Sequence, residues 1–163
     1  WLCCDLVWRG EELAQGPRNV LRRTLRALED EFGLVLKTGV ECEFFLLDAD
    51  SLDTAAKPCY DAHALMRQYD VVDKIAAATE GAYQCDHEDA NGQFEINWDF
   101  ADALETADDV VFFKYLTRSV AEEAGKRAIF MPKPFGHLTG NGCHAHVSLH
   151  DKGTGKNVTA DES

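Results

Sequence analysis

A chain of 163 residues, 45% apolar and 28% charged, is long enough for one domain with a real core and short for a two-domain enzyme. Its formal net charge of −13 argues against nucleic acid and anionic membrane surfaces as partners, since both would repel it. No apolar run reaches the length of a bilayer span, and no basic region leading into an apolar stretch marks a signal peptide. The chain opens at Trp1 inside strand-like sequence and stops at Ser163 in a polar loop, which reads as an internal piece of a longer protein. Cys3, Cys4, Cys42, Cys59, Cys85 and Cys143 form no C-x-x-C pair and no disulfide-like spacing. That pattern predicts free thiols in a reducing, cytoplasmic setting rather than disulfides or a zinc site.

In chain order, residues Trp1 to Trp8 read as a short apolar strand, followed by a turn at Arg9-Gly-Glu-Glu. Pro17 and Arg18 open a helix to about Phe32, with Val20, Leu21, Thr24, Leu25 and Leu28 as its apolar stripe and Arg22, Arg23 and Arg26 off it. Gly33 closes that helix, and Leu34 to Leu36 lead into the strand Gly39-Val-Glu-Cys-Glu-Phe-Phe-Leu-Leu, which ends near Asp48. A polar loop runs to Pro58, then a helix from about Asp61 to Thr79 turns Leu65, Tyr69, Val72 and Ile75 inward. Strands are expected at Ala82 to Asp86 and Gln93 to Asp99, joined by His87-Glu-Asp-Ala-Asn-Gly. A long helix from about Ala103 to Ala124 carries Leu104, Val111, Lys114, Tyr115 and Arg118, with Gly125 as its stop. Arg127 to Met131 reads as a strand, Pro132-Lys-Pro as extended chain, and Cys143 to Leu149 as a strand entered through Gly140-Asn-Gly. The order is no steady βαβ repeat, and short loops join neighbouring strands. This predicts an α+β fold with a mostly antiparallel sheet backed by helices.

The chemistry-bearing residues fall on strands. Glu41 and Glu43 share one face by period two, with Cys42 and Phe44 on the other. Two carboxylates side by side on an apolar strand repel each other, and a divalent cation in front of them is the economical remedy; a solvated edge strand with two acids is the plain alternative. Glu88 before the Asn91-Gly92 turn, Glu95 after it, and the period-two pair His144 and His146 extend the pattern. Acid-rich sets with an imidazole suit magnesium and manganese, and a surplus of acids points to two metals clamping a transferring phosphoryl group. Each signal alone is weak, since a lone strand histidine is more often structural. Asp102, Glu105, Asp108 and Asp109 read as a solvated helix start. No P-loop, G-x-G-x-x-G or kinase signature occurs.

The order E-x-E-F-F, H-E-x-x-x-G-Q-x-E, M-P-K-P and G-x-G-x-H-x-H-x-S-L resembles the glutamine synthetase catalytic domain, from the Pro17-Arg18 helix to Leu149. The resemblance implies a curved sheet of that family's kind, truncated at both ends. Residues 1–8 would then be the last strand of an N-terminal domain and 9–163 the N-terminal part of the catalytic domain. It implies Glu43, Glu88 and Glu95 around a first metal beside substrate glutamate, and Glu41 and His144 on a second metal that bridges nucleotide phosphates. His146, Ser148 and Phe100 match nucleotide-binding positions. Gly140 matches a substrate-glutamate contact, preceded by Thr139 where the family more often has Asn.

Two Mg2+ or Mn2+ ions per site and ATP as a substrate come with the resemblance. So does the joining of glutamate to ammonia through a γ-glutamyl phosphate, in a homo-oligomeric ring whose active sites are shared between subunits. The segments Asp86 to Trp98 and Leu138 to His146 look like a bacterial type III-like branch, some members of which ligate glutamate to methylamine or other small amines. By the same resemblance the family's phosphate-binding arginines, a further metal-binding glutamate and the flap glutamate would lie beyond Ser163. No catalytic residue is therefore assigned within the chain, and the chain alone is expected to be inactive. A non-catalytic structural relative is the rival of another class; it should have lost metal ligands, and every ligand position in this span is kept.

Overall fold

The computed structural model of the chain describes residues 2–54, 62–79, 81–87 and 90–160, with the backbone alone for 62–69 and 82–87. In chain order its elements are β1 (Val7–Trp8), β2 (Glu11–Glu12), α1 (Pro17–Phe32), β3 (Leu34–Asp48), α2 (Ala62–Ala78), β4 (Ala82–His87), β5 (Gln93–Trp98), β6 (Ala101–Asp102), α3 (Ala103–Glu123), β7 (Lys126–Ile129) and β8 (Cys143–Asp151). They divide into two compact units, one of Trp1–Gly39, Phe100–Asp109 and His146–Ser163, the other of Val40–Asp99 and Val110–Ala145.

The first unit is held by polar contacts. β1 and β2 form a hairpin with Val7 opposite Glu12 and Trp8 opposite Glu11. Arg9 and Gly10 both have positive φ, 54° and 85°, as a two-residue type I′ turn requires. The strand expected over Trp1 to Trp8 thus shrinks to two residues, Trp1 lies outside the described residues, and Glu11–Glu12 form the returning strand rather than part of the turn. Leu6, Val7 and Trp8 are all more than half exposed, so no packed sheet extends this hairpin among the described residues.

α1 begins with Pro17, whose missing N–H is no loss in a first turn, and ends at Gly33 in the left-handed region, φ 67°. Its packed face keeps Leu21, Leu25 and Leu28 of the expected stripe, all half-buried, and adds polar residues to them. Asn19 is fully buried and donates from Nδ2 to the Leu6 and Leu13 carbonyls at 2.8 and 3.0 Å. Arg18 forks onto Asp108 through Nε and Nη2, both at 3.0 Å, and also meets Asp5, while Arg22 reaches Asp5 and Glu12. Of the expected stripe only Val20 and Thr24 face solvent. The carboxylates of Asp5, Glu12 and Asp108 bring Arg22 onto the packed face, and Asp108 is more than a solvated helix-start residue. The Lys37 end of β3 pairs antiparallel with β6, an element with no sequence signal, and Thr106 donates to the Thr38 carbonyl at 2.8 Å.

In the second unit the residues of β3 from Val40 onward are central. They pair antiparallel with β5 on one side, Cys42 opposite Ile96 and Phe45 opposite Gln93, and with β7, Phe45 opposite Ile129 and Asp48 opposite Lys126. β4 pairs antiparallel with β5. Cys42, Phe44 and Leu46 point into a core with Phe94, Ile96 and Trp98 of β5, Val71, Val72 and Ile75 of α2, and Phe113 and Ala121 of α3. The Phe44 ring centre is 5.4 Å from that of Phe130, tilted, and 6.1 Å from that of Phe113 in the edge-on geometry that aromatic quadrupoles favour. Phe45 and Leu47 on the other face join Ala90, Ile129, Phe135 and Leu138.

On α3 the buried ridge of this unit is Phe113, Thr117 and Ala121; Val111 and Tyr115 are more than half exposed. Arg118 lies over the Phe130 ring at 5.0 Å. A polar Thr117 inside the ridge and apolar residues outside it blur the helical period. The fold is the expected α+β arrangement of antiparallel strands backed by helices. Among the described residues no helix is long and apolar enough to cross a membrane.

Candidate functional site

The β3–β5 register sets Glu43 directly opposite Glu95, and Asp86 of β4 takes the next place in the same row. Like charges directly opposite in a sheet destabilise it unless something screens them. β8 also pairs with β3, and His144 Nδ1 comes to 3.5 Å from Glu41 Oε2. Ligand atoms of Glu41, Glu95 and His144 lie within 4.8 Å of one another. Glu95 is 9% exposed. Burial, with the nearby charges of Glu41 and Glu43, pushes its carboxyl above the ordinary range, while an Asn97 hydrogen bond and His144 act the other way. That bond runs from Asn97 Nδ2 to Glu95 Oε1 at 2.9 Å. An oxygen-rich set with one imidazole and uncompensated negative charge has the chemistry of a hard divalent cation site, so Mg2+ or Mn2+ fits these residues.

Glu43 is held differently. Its Oε2 accepts from Gln93 Nε2 at 2.8 Å, and the same amide faces the Gly140 carbonyl at 2.9 Å and Asn141 Oδ1 at 3.0 Å. Gln93 Oε1 in turn accepts from the Ala90 N–H at 3.2 Å. Two amide hydrogens serve three acceptors, so this fully buried side chain is committed on every side. Asn141 completes the frame, donating from Nδ2 to the Ile129 and Met131 carbonyls at 3.1 and 2.9 Å and from its backbone N–H to Pro132 at 2.8 Å. The glycines on either side are close-approach positions: a Cβ at Gly140 would lie 2.5 Å from the Pro132 carbonyl oxygen, and one at Gly142 2.6 Å from Glu43 Oε1. Thr139, just before, is exposed.

Cys42 Sγ sits 3.8 Å from Cys143 Sγ with both thiols free, as are Cys3 and Cys4. Burial, then the neighbouring Cys143, pushes the Cys42 thiol up to about 12, so it stays protonated and inert.

Phe100, His146 and Ser148 line one cleft of about 220 Å³ in the first unit, together with Lys37, His150 and Asn157. The Phe100 ring is 62% exposed and offers a flat apolar face. Gly39 allows the approach, since a Cβ there would lie 3.4 Å from Phe100 Cβ. Lys37 Nζ stands 5.9 Å from the ring centre and 3.8 Å from Asp102. Ser148 Oγ is 3.0 Å from His150 Nε2, and His150 Nδ1 is 3.2 Å from the Gly155 carbonyl oxygen.

The expected residues therefore fall into two places. Glu41, Glu95 and His144 come together; Glu43 is adjacent in register but tied to Gln93; Gly140 turns its carbonyl to the same amide; Phe100, His146 and Ser148 share the cleft. Glu88 lies outside the described residues. Sequence reasoning gave no role to Gln93, Asn97, Asn141, Lys37 or His150. Alternation would have found Gln93 and Asn97, which flank Glu95 at period two, and the same period carries Ser148 on to His150.

An α+β domain bearing a carboxylate and imidazole cluster is the class that fold and site define: a domain with the donor set of a divalent-cation centre. Within that class the chain belongs to the glutamine synthetase family, since the family model described as glutamine synthetase, catalytic domain, matches residues 14–163. It is 51% identical over 172 aligned positions to a glutamine synthetase of Rhizobium leguminosarum bv. phaseoli, covering 99% of this chain and 39% of that protein. It is 40% identical over 162 positions to the glutamate–methylamine ligase of Methyloversatilis universalis, covering 92% and 36%. A ligand-free GmaS structure matches at 49% identity with a TM-score of 0.87, over 98% of this chain and 40% of that one. The chain thus spans about two fifths of the length of the curated relatives it matches.

Proposed function

We propose that the chain supplies part of the active site of an ATP-dependent ligase that joins the γ-carboxylate of glutamate to ammonia through a γ-glutamyl phosphate. The observation that carries the reading is the convergence of Glu41, Glu95 and His144 within 4.8 Å in a chain of this family. The cleft shared by Phe100, His146 and Ser148 supports it.

In this reading Glu43, Glu88 and Glu95 hold one Mg2+ or Mn2+ on the glutamate side, and Glu41 and His144 hold a second on the nucleotide side. Bound there, the ions would offset the negative charge of the transferring phosphoryl group and of the carboxylate approaching it. The chain's own residues orient the reactants. Gln93 fixes the Glu43 carboxylate and the Gly140 carbonyl in one frame. Gly140 and Thr139 bound the substrate-glutamate side, Phe100 gives a base an apolar face, and His146 and Ser148 add polar groups at its edge. Glu95, within reach of both Glu41 and His144, couples the two halves. The active protein is a cytoplasmic homo-oligomeric ring with sites shared between subunits.

A second acceptor, methylamine or another small amine, is favoured by the 40% identity to a named glutamate–methylamine ligase. Steady-state kinetics of the full-length protein with ammonia and with methylamine separate the two. In the same assay Glu43→Ala is expected chiefly to raise KM for glutamate and Glu41→Ala chiefly KM for ATP. Equal losses for both substrates count against the division, and a full-length protein that binds no divalent cation in a manganese titration overturns the reading.

A further inference from the structure

Resting on the nucleotide reading of the cleft, we propose that His150 is a positioning residue. It fixes the Ser148 hydroxyl as a hydrogen-bond acceptor toward the cleft, so that the cleft favours a base with an exocyclic amino group over one with an oxo group at the same place. One hydrogen-bonded chain joins Gly155, His150 and Ser148. The Gly155 carbonyl can only accept, so His150 Nδ1, 3.2 Å away, carries the proton of that contact. A neutral imidazole has one N–H, which leaves Nε2 bare and able only to accept. Ser148 Oγ, 3.0 Å from Nε2, therefore donates its single proton there. Its lone pairs are what remain for a ligand.

The chain starts from a fixed point. Gly155 adopts φ 70°, a left-handed conformation that suits glycine, and its own N–H bonds the Asp151 carbonyl at 2.8 Å. Asp151 Oδ1 accepts from the Thr154 N–H at 2.7 Å and the Thr154 hydroxyl at 2.8 Å, which closes the turn. The backbone bridge between His150 and Asn157 holds the ring's own strand. A base amino group meeting Ser148 gains a hydrogen bond, whereas an oxo group meets lone pairs. The net worth of one such bond corresponds to about tenfold in affinity.

The test is binding of ATP and of its 6-oxo counterpart ITP to the full-length protein. His150→Phe frees the hydroxyl to rotate, so the ATP-to-ITP affinity ratio is expected to fall about tenfold. In a Ser148→Ala background the same change is expected to leave the ratio untouched, because the hydroxyl through which His150 acts is gone. A merely structural His150 would weaken both nucleotides in parallel in either background, and that result overturns the inference. Nitrogen-15 NMR of the imidazole gives a readout that needs no substitution: the Nδ1–H form is expected, and the Nε2–H form overturns it. ATP affinity that ignores Phe100→Ala and Ser148→Ala would sink the nucleotide reading itself. ATP affinity that depends on both, with a ratio indifferent to His150→Phe, would sink this inference alone.

Discussion

Glu95 is an acid that its surroundings tolerate only with help. Its raised proton affinity comes first from burial and then from Glu41 and Glu43, and the Asn97 amide is the hydrogen bond that favours its charged form. Removing such a supporting group from a metal ligand costs about 10–100-fold in metal affinity. Asn97→Ala in the full-length protein should therefore weaken manganese binding by about that factor. An unchanged binding isotherm would mean that Asn97 merely fills space. The pH dependence follows from the same residue. In metal-free protein a carboxyl with a raised folded pKa contributes stability that is whole below its ordinary 4.5 and is lost as pH rises through the folded value. Glu95→Gln removes that loss. With chelator present, the variant should match the parent at acid pH and exceed it at neutral pH in urea midpoint. Excess manganese should reverse the order, because the cation then binds only the carboxylate. Parallel curves at all pH values would show that Glu95 is not under electrostatic stress.

At the scale of elements, the loop that enters β8 separates two kinds of glycine. A Cβ at Gly140 would meet the Pro132 carbonyl, a backbone atom already bonded to the Asn141 N–H; a Cβ at Gly142 would meet the movable end of Glu43. Gly140→Ala should therefore cost about 1–3 kcal/mol of stability, as overpacking against fixed atoms does. Gly142→Ala should cost less and instead displace Glu43 from Gln93, which a manganese titration beside a thermal melt would reveal. Equal stability losses with equal metal affinity would refute the distinction. The sequence made parts of these elements readable. Period two on β3 is a local property, so the shared face of Glu41 and Glu43 and the opposite burial of Cys42 and Phe44 could be read from the residues alone. The pairing of Glu43 with Glu95 is not local, because register depends on a strand some fifty residues away in sequence, and neither strand announces it. The helix α1 is legible only in part for a related reason. Leu21, Leu25 and Leu28 are half-buried as the apolar stripe predicts, but the ion pairs of Arg18 and Arg22 with Asp5, Glu12 and Asp108 depend on residues outside the helix, which counting along it does not show.

For the molecule as a whole, openness is the decisive property. The His144 side chain is 69% exposed and the Phe100 residue 62%, so each candidate place meets water directly. A γ-glutamyl phosphate is an activated acid, and an amine can capture it only where water is kept away. The chain spans about two fifths of the relatives it matches, and their remaining length has no counterpart here. Cation binding and amide synthesis should therefore come apart in the isolated 163-residue chain. Its acids can still attract manganese, since Glu41, Glu95 and His144 converge without help from elsewhere. ATP-dependent amide formation should stay at the no-protein background, whether ammonia or methylamine is the acceptor. The assay is amide product and ADP release, run beside the full-length protein at equal active-site concentration. Amide made by the chain alone would mean that these residues suffice to exclude water. ADP released without amide would instead mark a chain able to transfer the phosphoryl group but not to protect what it has made.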